Sequence, residues 1–238
     1  INHEPFMRAL NRYTYGAGLD VDGEHYDDLY TDPRNSLVHD WLIRVRMPDG
    51  TAPAFDDGSP GGHYAWGVMG GLPHSDLYAW AWQHQPQSWY SGGSIDQTAF
   101  SIAAYDDEVS PLSPADAGWP PTQFQFDGGQ AIFRQSWEPD SMYLLLAAEH
   151  GKAAGWSRKK DYDIIEGTGG HDHNDPGHIT LQAYSRPLLI DGGYLGWPNH
   201  DKVCKAENHN ILLVDDKGPE LPYLIPPDFE FDENGELI

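Results

Sequence analysis

The sequence predicts an α+β protein in which helices come first and an antiparallel sheet follows. Before about residue 118, apolar residues recur with helical spacing, whereas after it they alternate with polar residues as in half-buried strands. The segment Ser110–Pro121, rich in proline, separates the two patterns. We therefore expect a helical region over residues 1–118 and a sheet region over residues 119–238.

The helical region contains four segments with helical patterns. In the segment 35–46, Asn35 or Ser36 can cap the start, and three apolar residues share one face of the predicted helix. These three residues are Leu37, Trp41 and Val45. The other predicted helices cover residues 62–70, 75–84 and 95–104.

The sheet region contains six short segments with strand patterns. Short strands separated by Gly, Pro and Asp turns favour a sandwich or a curled sheet over alternating α/β units. The predicted strands are Gln123–Phe126, Gln130–Ser136, Met142–Ala147, Ile179–Tyr184, Pro187–Ile190 and Asn210–Val214.

Composition excludes several classes of function. The 238 residues include 14 Lys+Arg and 37 Asp+Glu, a formal net charge of −23, which argues against a nucleic-acid partner. No apolar run is long enough to span a membrane. A single cysteine, Cys204, rules out an internal disulfide framework. The chain begins at Ile1 without a signal segment, so we expect a processed protein or a piece of a longer one.

A histidine-rich segment at residues 169–178 is the strongest candidate for chemistry. His171 and His173 project to the same side of an extended chain, and imidazole is a good zinc ligand. Asp191 and His209 follow His173 at successive intervals of 18 residues. If a hairpin turning at 185–187 pairs Asp191 with Thr180, a straight strand would leave His173 about 23 Å away. Convergence therefore requires the chain to double back at residues 174–177, a strong turn sequence. The alternative to a metal site is that these spacings arise by chance, since the chain has twelve histidines.

Five segments in order make the sequence resemble the heparinase II/III-like polysaccharide lyases. They are Met47–Gly50 with Pro53–Asp57, Gly128–Arg134, the HDHNDPG motif at 171–177, Leu188–Tyr194 and His209–Asp215. The resemblance implies an antiparallel β-sandwich after an (α/α) toroid. Residues 1–118 are too few for a complete toroid, so we expect only its C-terminal helices.

The resemblance also implies a function and its residues. Family members cleave uronic-acid polysaccharides by β-elimination and carry a zinc ion in the sheet domain. By position, His173, Asp191 and His209 match the zinc ligands, in a structural site closed by protein side chains. His171 matches a neighbouring catalytic histidine. Some relatives use a tyrosine as the acid, and Tyr194 is its nearest counterpart by position in this sequence.

An acidic chain needs local positive charge to bind an acidic polysaccharide. The predicted substrate-binding residues are Arg134, Arg158, Lys159 and Lys160. The net charge favours a carboxylate-only polymer such as alginate over heavily sulfated heparin, and the family implies a periplasmic or extracellular location.

Two other interpretations remain open. The chain can be a non-catalytic carbohydrate-binding module stapled by zinc. A cupin-type metal oxidoreductase also uses a His-x-His pair, but it expects a Glu a few residues later, and the first Glu after the pair is Glu207.

Overall fold

The structure is a computed structural model that describes residues 10–54, 58, 71–84, 105–125, 129–148 and 173–218. The chain divides into two compact units, called here the first unit and the second unit. The first unit comprises Ile1–Ala52, His63–Pro121 and Ser136–Pro139, and the second comprises Pro53–Gly62, Thr122–Gln135 and Asp140–Ile238. Two of the predicted helices, 62–70 and 95–104, lie outside the described residues.

The first unit contains helix α1, Pro33–Val45, which begins two residues earlier than predicted. Its cap is Asp32, whose carboxylate accepts a hydrogen bond from the Arg34 amide at 2.8 Å. Pro33 suits the first helical position because its missing N–H would have no partner there. Asn35 and Ser36, the predicted caps, lie inside the helix.

The buried face of α1 differs from the predicted apolar face. Leu37 is 63% exposed, whereas Asp40 is 6% exposed. The buried residues of the helix are Ser36, His39, Asp40, Ile43 and Val45. The prediction is right for Val45, which is 1% exposed, and wrong for Leu37. Apolar spacing assigns a face by polarity alone, whereas Asp40 finds hydrogen-bond donors inside the first unit.

Helix α2, Ser75–Gln83, agrees with the predicted segment to within one residue. It packs with α1 in a small core composed of Tyr30, Ile43, Leu72, Leu77, Tyr78 and Ala81. Arg46, 4% exposed, donates hydrogen bonds to the carbonyl oxygens of Ala81, at 2.9 Å, and His84. A cation at the C-terminal end of a helix is favourable, and this one occupies carbonyls that have no partner within the helix.

A hairpin in the first unit was not predicted. Strands β1, Leu19–Val21, and β2, Glu24–Tyr26, pair antiparallel around Asp22 and Gly23. Both turn residues have positive φ, 51° and 85°, as a type I′ turn requires. The Asp-Gly pair was therefore an available signal.

The second unit contains a five-stranded antiparallel sheet in which each strand pairs with its neighbour along the chain. The strands are β3 (Gln123–Gln125), β4 (Gln130–Arg134), β5 (Tyr143–Ala147), β6 (His178–Ala183) and β7 (Arg186–Leu189). Five of the six predicted strands are present with slightly different ends. Helices and antiparallel sheets together confirm the α+β class, while the toroid and the second layer of a sandwich remain expectations.

The sixth predicted strand, Asn210–Val214, is wrong. Within it only Val214 forms a bridge, to Lys217. Asn210 accepts a hydrogen bond from the Ile179 amide at 3.0 Å, and its side-chain amide donates to the Ile190 carbonyl at 2.9 Å. These bonds connect Asn210 to β6 and to the residue that follows β7, and Asn210 is not itself part of a strand.

No helix among the described residues is long and apolar enough to cross a membrane.

Candidate metal centre

Three side chains distant in sequence meet in the second unit. His173, Asp191 and His209 each offer one ligand atom, and these atoms lie within 4.8 Å of one another. His173 is 2% exposed and Asp191 4% exposed, and the side chain of His209 is 1% exposed. The two imidazoles are 5.3 Å apart between ring centres.

His173 reaches the group because the chain turns sharply before β6. The Asp175 carbonyl accepts a hydrogen bond from the His178 amide at 2.8 Å, and Gly177 has a φ of +93°. The amide of Asn174 donates to the Cys204 carbonyl at 2.8 Å. The chain therefore doubles back at residues 174–177, as expected. This turn brings His173 close to Asp191, whereas a straight strand would keep the two residues far apart.

Asp191 is held at the end of the hairpin formed by β6 and β7. The hairpin turns at Tyr184 and Ser185, whose φ values are 54° and 56°, slightly earlier than the predicted turn at 185–187. Two residues past β7, Asp191 Oδ1 accepts the Gly193 amide at 2.7 Å. A side chain at Gly193 would collide with the Gly58 carbonyl, so glycine is required at this position.

His209 completes the group after a short 3-10 turn, Ala206–Asn208. Its amide donates to the Ala206 carbonyl at 3.2 Å, and its Nδ1 lies 2.7 Å from Asp191 Oδ2. His209 Nε2 is buried and has no hydrogen-bond partner. A buried polar atom in this position is accounted for if it faces a ligand.

Electrostatics keep Asp191 ionised. Burial raises the pKa of its carboxyl group, but hydrogen bonds from His209 and from the Gly193 amide outweigh burial, and the pKa lies below its ordinary value. For His209, burial lowers the pKa, yet the bond to Asp191 and its charge leave the pKa above its ordinary value. Because only the neutral imidazole is a metal ligand, metal binding by His209 competes with its protonation.

A neighbouring histidine, His178, had no assigned role in the sequence. It is fully buried, its Nδ1 lies 3.4 Å from Asp191 Oδ2, and its Nε2 lies 3.0 Å from Thr180 Oγ1. Burial lowers the pKa of His178, with the charge of Asp191 opposing and His209 adding to the effect, so the ring is neutral. His178 thus lies against the Asp191 carboxylate, and Thr180 contacts the other nitrogen of the same ring. His178 and Thr180 are two residues apart in β6, and this spacing in the sequence could have indicated that they share one face of the strand.

The donor set suits a transition-metal ion. Two imidazole nitrogens and a carboxylate oxygen in a buried site are typical ligands of zinc. The group can therefore hold a metal ion. The described residues supply three ligands rather than the four of a closed structural site, so the expected closed coordination is not met by the part of the chain that the structure describes.

Of the six other predicted site residues, the structure describes two, Tyr194 and Arg134. Tyr194 is 38% exposed, three residues beyond Asp191, and its amide donates to the Gly58 carbonyl at 3.1 Å. Arg134 is 6% exposed, and its guanidinium lies 5.3 Å from the centre of the Tyr143 ring. The remaining four, His171, Arg158, Lys159 and Lys160, lie outside the described residues.

Comparison with known proteins identifies the fold. No family profile and no curated protein matches the chain. A solved structure titled "Crystal Structure of Heparinase III" is similar over 93% of this chain, with a TM-score of 0.52 and 11% identity. The heparan sulfate lyase HepC from Pedobacter heparinus is similar over 80%, with a TM-score of 0.46 and 16% identity.

The chain spans only part of these proteins, 32% of the heparinase III and 25% of HepC. At such identity, similarity reports architecture and not activity. The conclusion from the heparinase III comparison is that this chain has a heparinase-like fold.

Proposed function

We propose that the chain is part of a heparinase II/III-like polysaccharide lyase that cleaves uronic-acid glycans by β-elimination. The observation that carries the proposal is the buried group of His173, Asp191 and His209 in a chain with a heparinase-like fold. The proposal includes a fold assignment for each region: residues 1–118 are part of a toroid, and residues 119–238 are part of a sandwich. It also includes a periplasmic or extracellular location.

The metal of this proposal is zinc, held by His173, Asp191 and His209. When bound, zinc supplies a positive charge that fixes these three segments of the second unit in place. The chain's contribution is to position the segment before His173. Because His171 is two residues upstream, anchoring His173 restricts where His171 can lie.

β-Elimination makes three demands on the protein. The carboxylate of the uronic acid must be neutralised, a base must remove the C5 proton, and an acid must protonate the departing O4 oxygen. His171 is proposed for proton transfer, because an imidazole titrates near neutral pH. Tyr194, partly exposed close to Asp191 in sequence, is proposed as the acid.

Positive side chains are proposed to bind the substrate carboxylate. Arg158, Lys159 and Lys160 are consecutive and lie shortly before His171 in sequence. Arg134 is the weakest of the four candidates because its guanidinium is buried beside Tyr143. With a net charge of −23, a carboxylate-only polymer such as alginate is a better substrate than a sulfated one.

The test is to incubate the zinc-loaded chain with alginate and with heparan sulfate and to follow ultraviolet absorbance. Only elimination creates the conjugated double bond that absorbs. His171→Ala should abolish the absorbance change and keep the zinc, whereas His173→Ala should lose both. No absorbance change with any uronan would reject the lyase assignment for this chain.

A non-catalytic, zinc-stapled carbohydrate-binding module is the second candidate. The observation that favours it is the burial of His173, Asp191 and His209, because an ion held in a buried site can stabilise the fold without contacting a substrate. Uronan binding without any change in absorbance would support the module.

A further inference from the structure

A buried carboxylate in the first unit orients a half-exposed histidine. Asp40 on α1 is 6% exposed, and His74, just before α2, has a side chain that is 43% exposed. His74 Nδ1 lies 2.9 Å and 3.0 Å from the two carboxylate oxygens. The Tyr78 hydroxyl donates to Asp40 Oδ1 at 2.9 Å. The imidazole thus extends from the buried carboxylate to the surface.

The carboxylate determines which nitrogen of His74 carries the proton. An ionised carboxylate only accepts hydrogen bonds, so Nδ1 must be protonated and the neutral ring has its lone pair on Nε2. Burial, together with the charge of Asp40, raises the pKa of Tyr78 far above its ordinary value, so its hydroxyl remains a donor. A carboxylate that fixes the tautomer of an imidazole in this way is the arrangement that prepares histidine to accept a proton or a hydrogen bond.

An aromatic ring and a cation lie next to His74. The Trp119 ring meets the imidazole edge to face, with ring centres 5.7 Å apart. The Arg44 guanidinium lies 4.2 Å from the centre of the same indole ring. The guanidinium therefore covers the indole, and a hydrogen-bond acceptor and a cation held against the same half-buried ring match a ligand that has hydroxyl groups and a carboxylate.

We propose that His74, Trp119 and Arg44 form a binding site for an acidic sugar in the first unit. His74 Nε2 accepts a hydrogen bond from a sugar hydroxyl, Arg44 attracts the carboxylate, and Trp119 contacts both side chains and positions them. The choice of a sugar acid as ligand rests on the proposed function, but the site is distinct from the candidate metal centre.

A purely structural role would use only one of the two ring nitrogens of His74, Nδ1. To join α1 and α2, Asp40 needs a donor at the position of Nδ1, whereas Nε2 serves nothing in such a role. Asparagine places its amide nitrogen near the position of Nδ1 and has no counterpart of Nε2. His74→Asn therefore separates the two functions.

The experiment measures glucuronate binding to the chain and to His74→Asn by NMR titration. The variant should keep a melting temperature close to that of the parent and bind glucuronate about three- to tenfold more weakly, the loss expected for one hydrogen bond. The matched control is His84→Asn in the same unit, since His84 Nδ1 lies 2.8 Å from the Trp80 carbonyl rather than from a carboxylate. This control should bind glucuronate as the parent does.

Imidazole ¹⁵N signals give a direct readout. In the parent chain the His74 signals should report a proton on Nδ1, and glucuronate should shift the Nε2 signal more than glucose does. A His74→Asn variant that binds like the parent, an unmoved Nε2 signal, or equal binding of glucose and glucuronate would overturn the proposal. A monosaccharide has no glycosidic bond to eliminate, so failure here is distinct from failure of the lyase assignment.

Discussion

The imidazole of His209 and the carboxylate of Asp191, 18 residues apart in sequence, lie 2.7 Å apart inside the second unit. The same carboxylate accepts the Gly193 amide and lies next to His178. Asp191 is therefore the centre of the polar group, and its two histidine neighbours, His178 and His209, come from different parts of the chain.

Replacing His173 with alanine should remove bound metal. Two ligands remain in His173→Ala, and the loss of affinity should exceed the roughly 10–100-fold that supporting residues contribute. Elemental analysis of the dialysed protein measures the zinc content. The control is His25→Ala, because His25 is an exposed residue paired with Asp20 in the first unit. Zinc retained by His173→Ala, or lost by His25→Ala, would contradict the site.

Replacing His178 should weaken metal binding without removing it. His178→Ala takes away the ring beside Asp191, and we expect zinc affinity to fall by roughly 10–100-fold. Thr180→Val should act in the same direction but less, because it removes the hydroxyl next to His178 Nε2. Competition with a chelator measures both affinities. Unchanged affinity in both variants would mean that Asp191 is held without them.

Replacing Arg46 should destabilise the first unit. Arg46→Ala leaves the carbonyls of Ala81 and His84 without their buried donor, at an expected cost of about 2–4 kcal/mol in the free energy of unfolding. Urea unfolding followed by tryptophan fluorescence measures this cost. Arg34→Ala, which removes an exposed ion pair with Asp32, should cost much less. Equal effects of the two variants would contradict a capping role for Arg46.

Replacing Asp32 should lower thermal stability in a pH-dependent manner. Hydrogen bonds from Arg34 lower the pKa of Asp32 to about 2. A lowered pKa in the folded state gives stability that is present above the unfolded pKa and lost as pH falls towards 2. Asp32→Ala should therefore melt below the parent at neutral pH, and the gap should narrow in acid. A gap in melting temperature that stays constant from neutral to acidic pH would contradict this assignment.

Salt should weaken uronan binding. If Arg158, Lys159 and Lys160 contact the carboxylates, affinity falls as ionic strength rises, because salt screens exposed charges. Replacing these three residues with serine should reduce both the affinity and its dependence on salt. Binding measured at several salt concentrations tests this, and affinity that is independent of salt would exclude these residues as the substrate contact.

Local pattern was sufficient for much of the secondary structure. Alternation located β4, β5 and β6, since a strand with one covered face must alternate. The Asn174–Gly177 turn followed from residue types that adopt tight turns. Resemblance to a family, rather than spacing, singled out His173, Asp191 and His209 among twelve histidines and many acids.

The sequence by itself determined the order of helices and sheet, because hydrophobic periodicity is a local property of the chain. Only the tertiary structure decided which polar groups are buried. Asp40 turns inward because Tyr78 and His74, on another segment, supply donors. Asn210 forms hydrogen bonds to β6 and to the residue after β7 instead of extending a strand. Burial of a polar group depends on partners distant along the chain, and their positions exist only once the chain has folded.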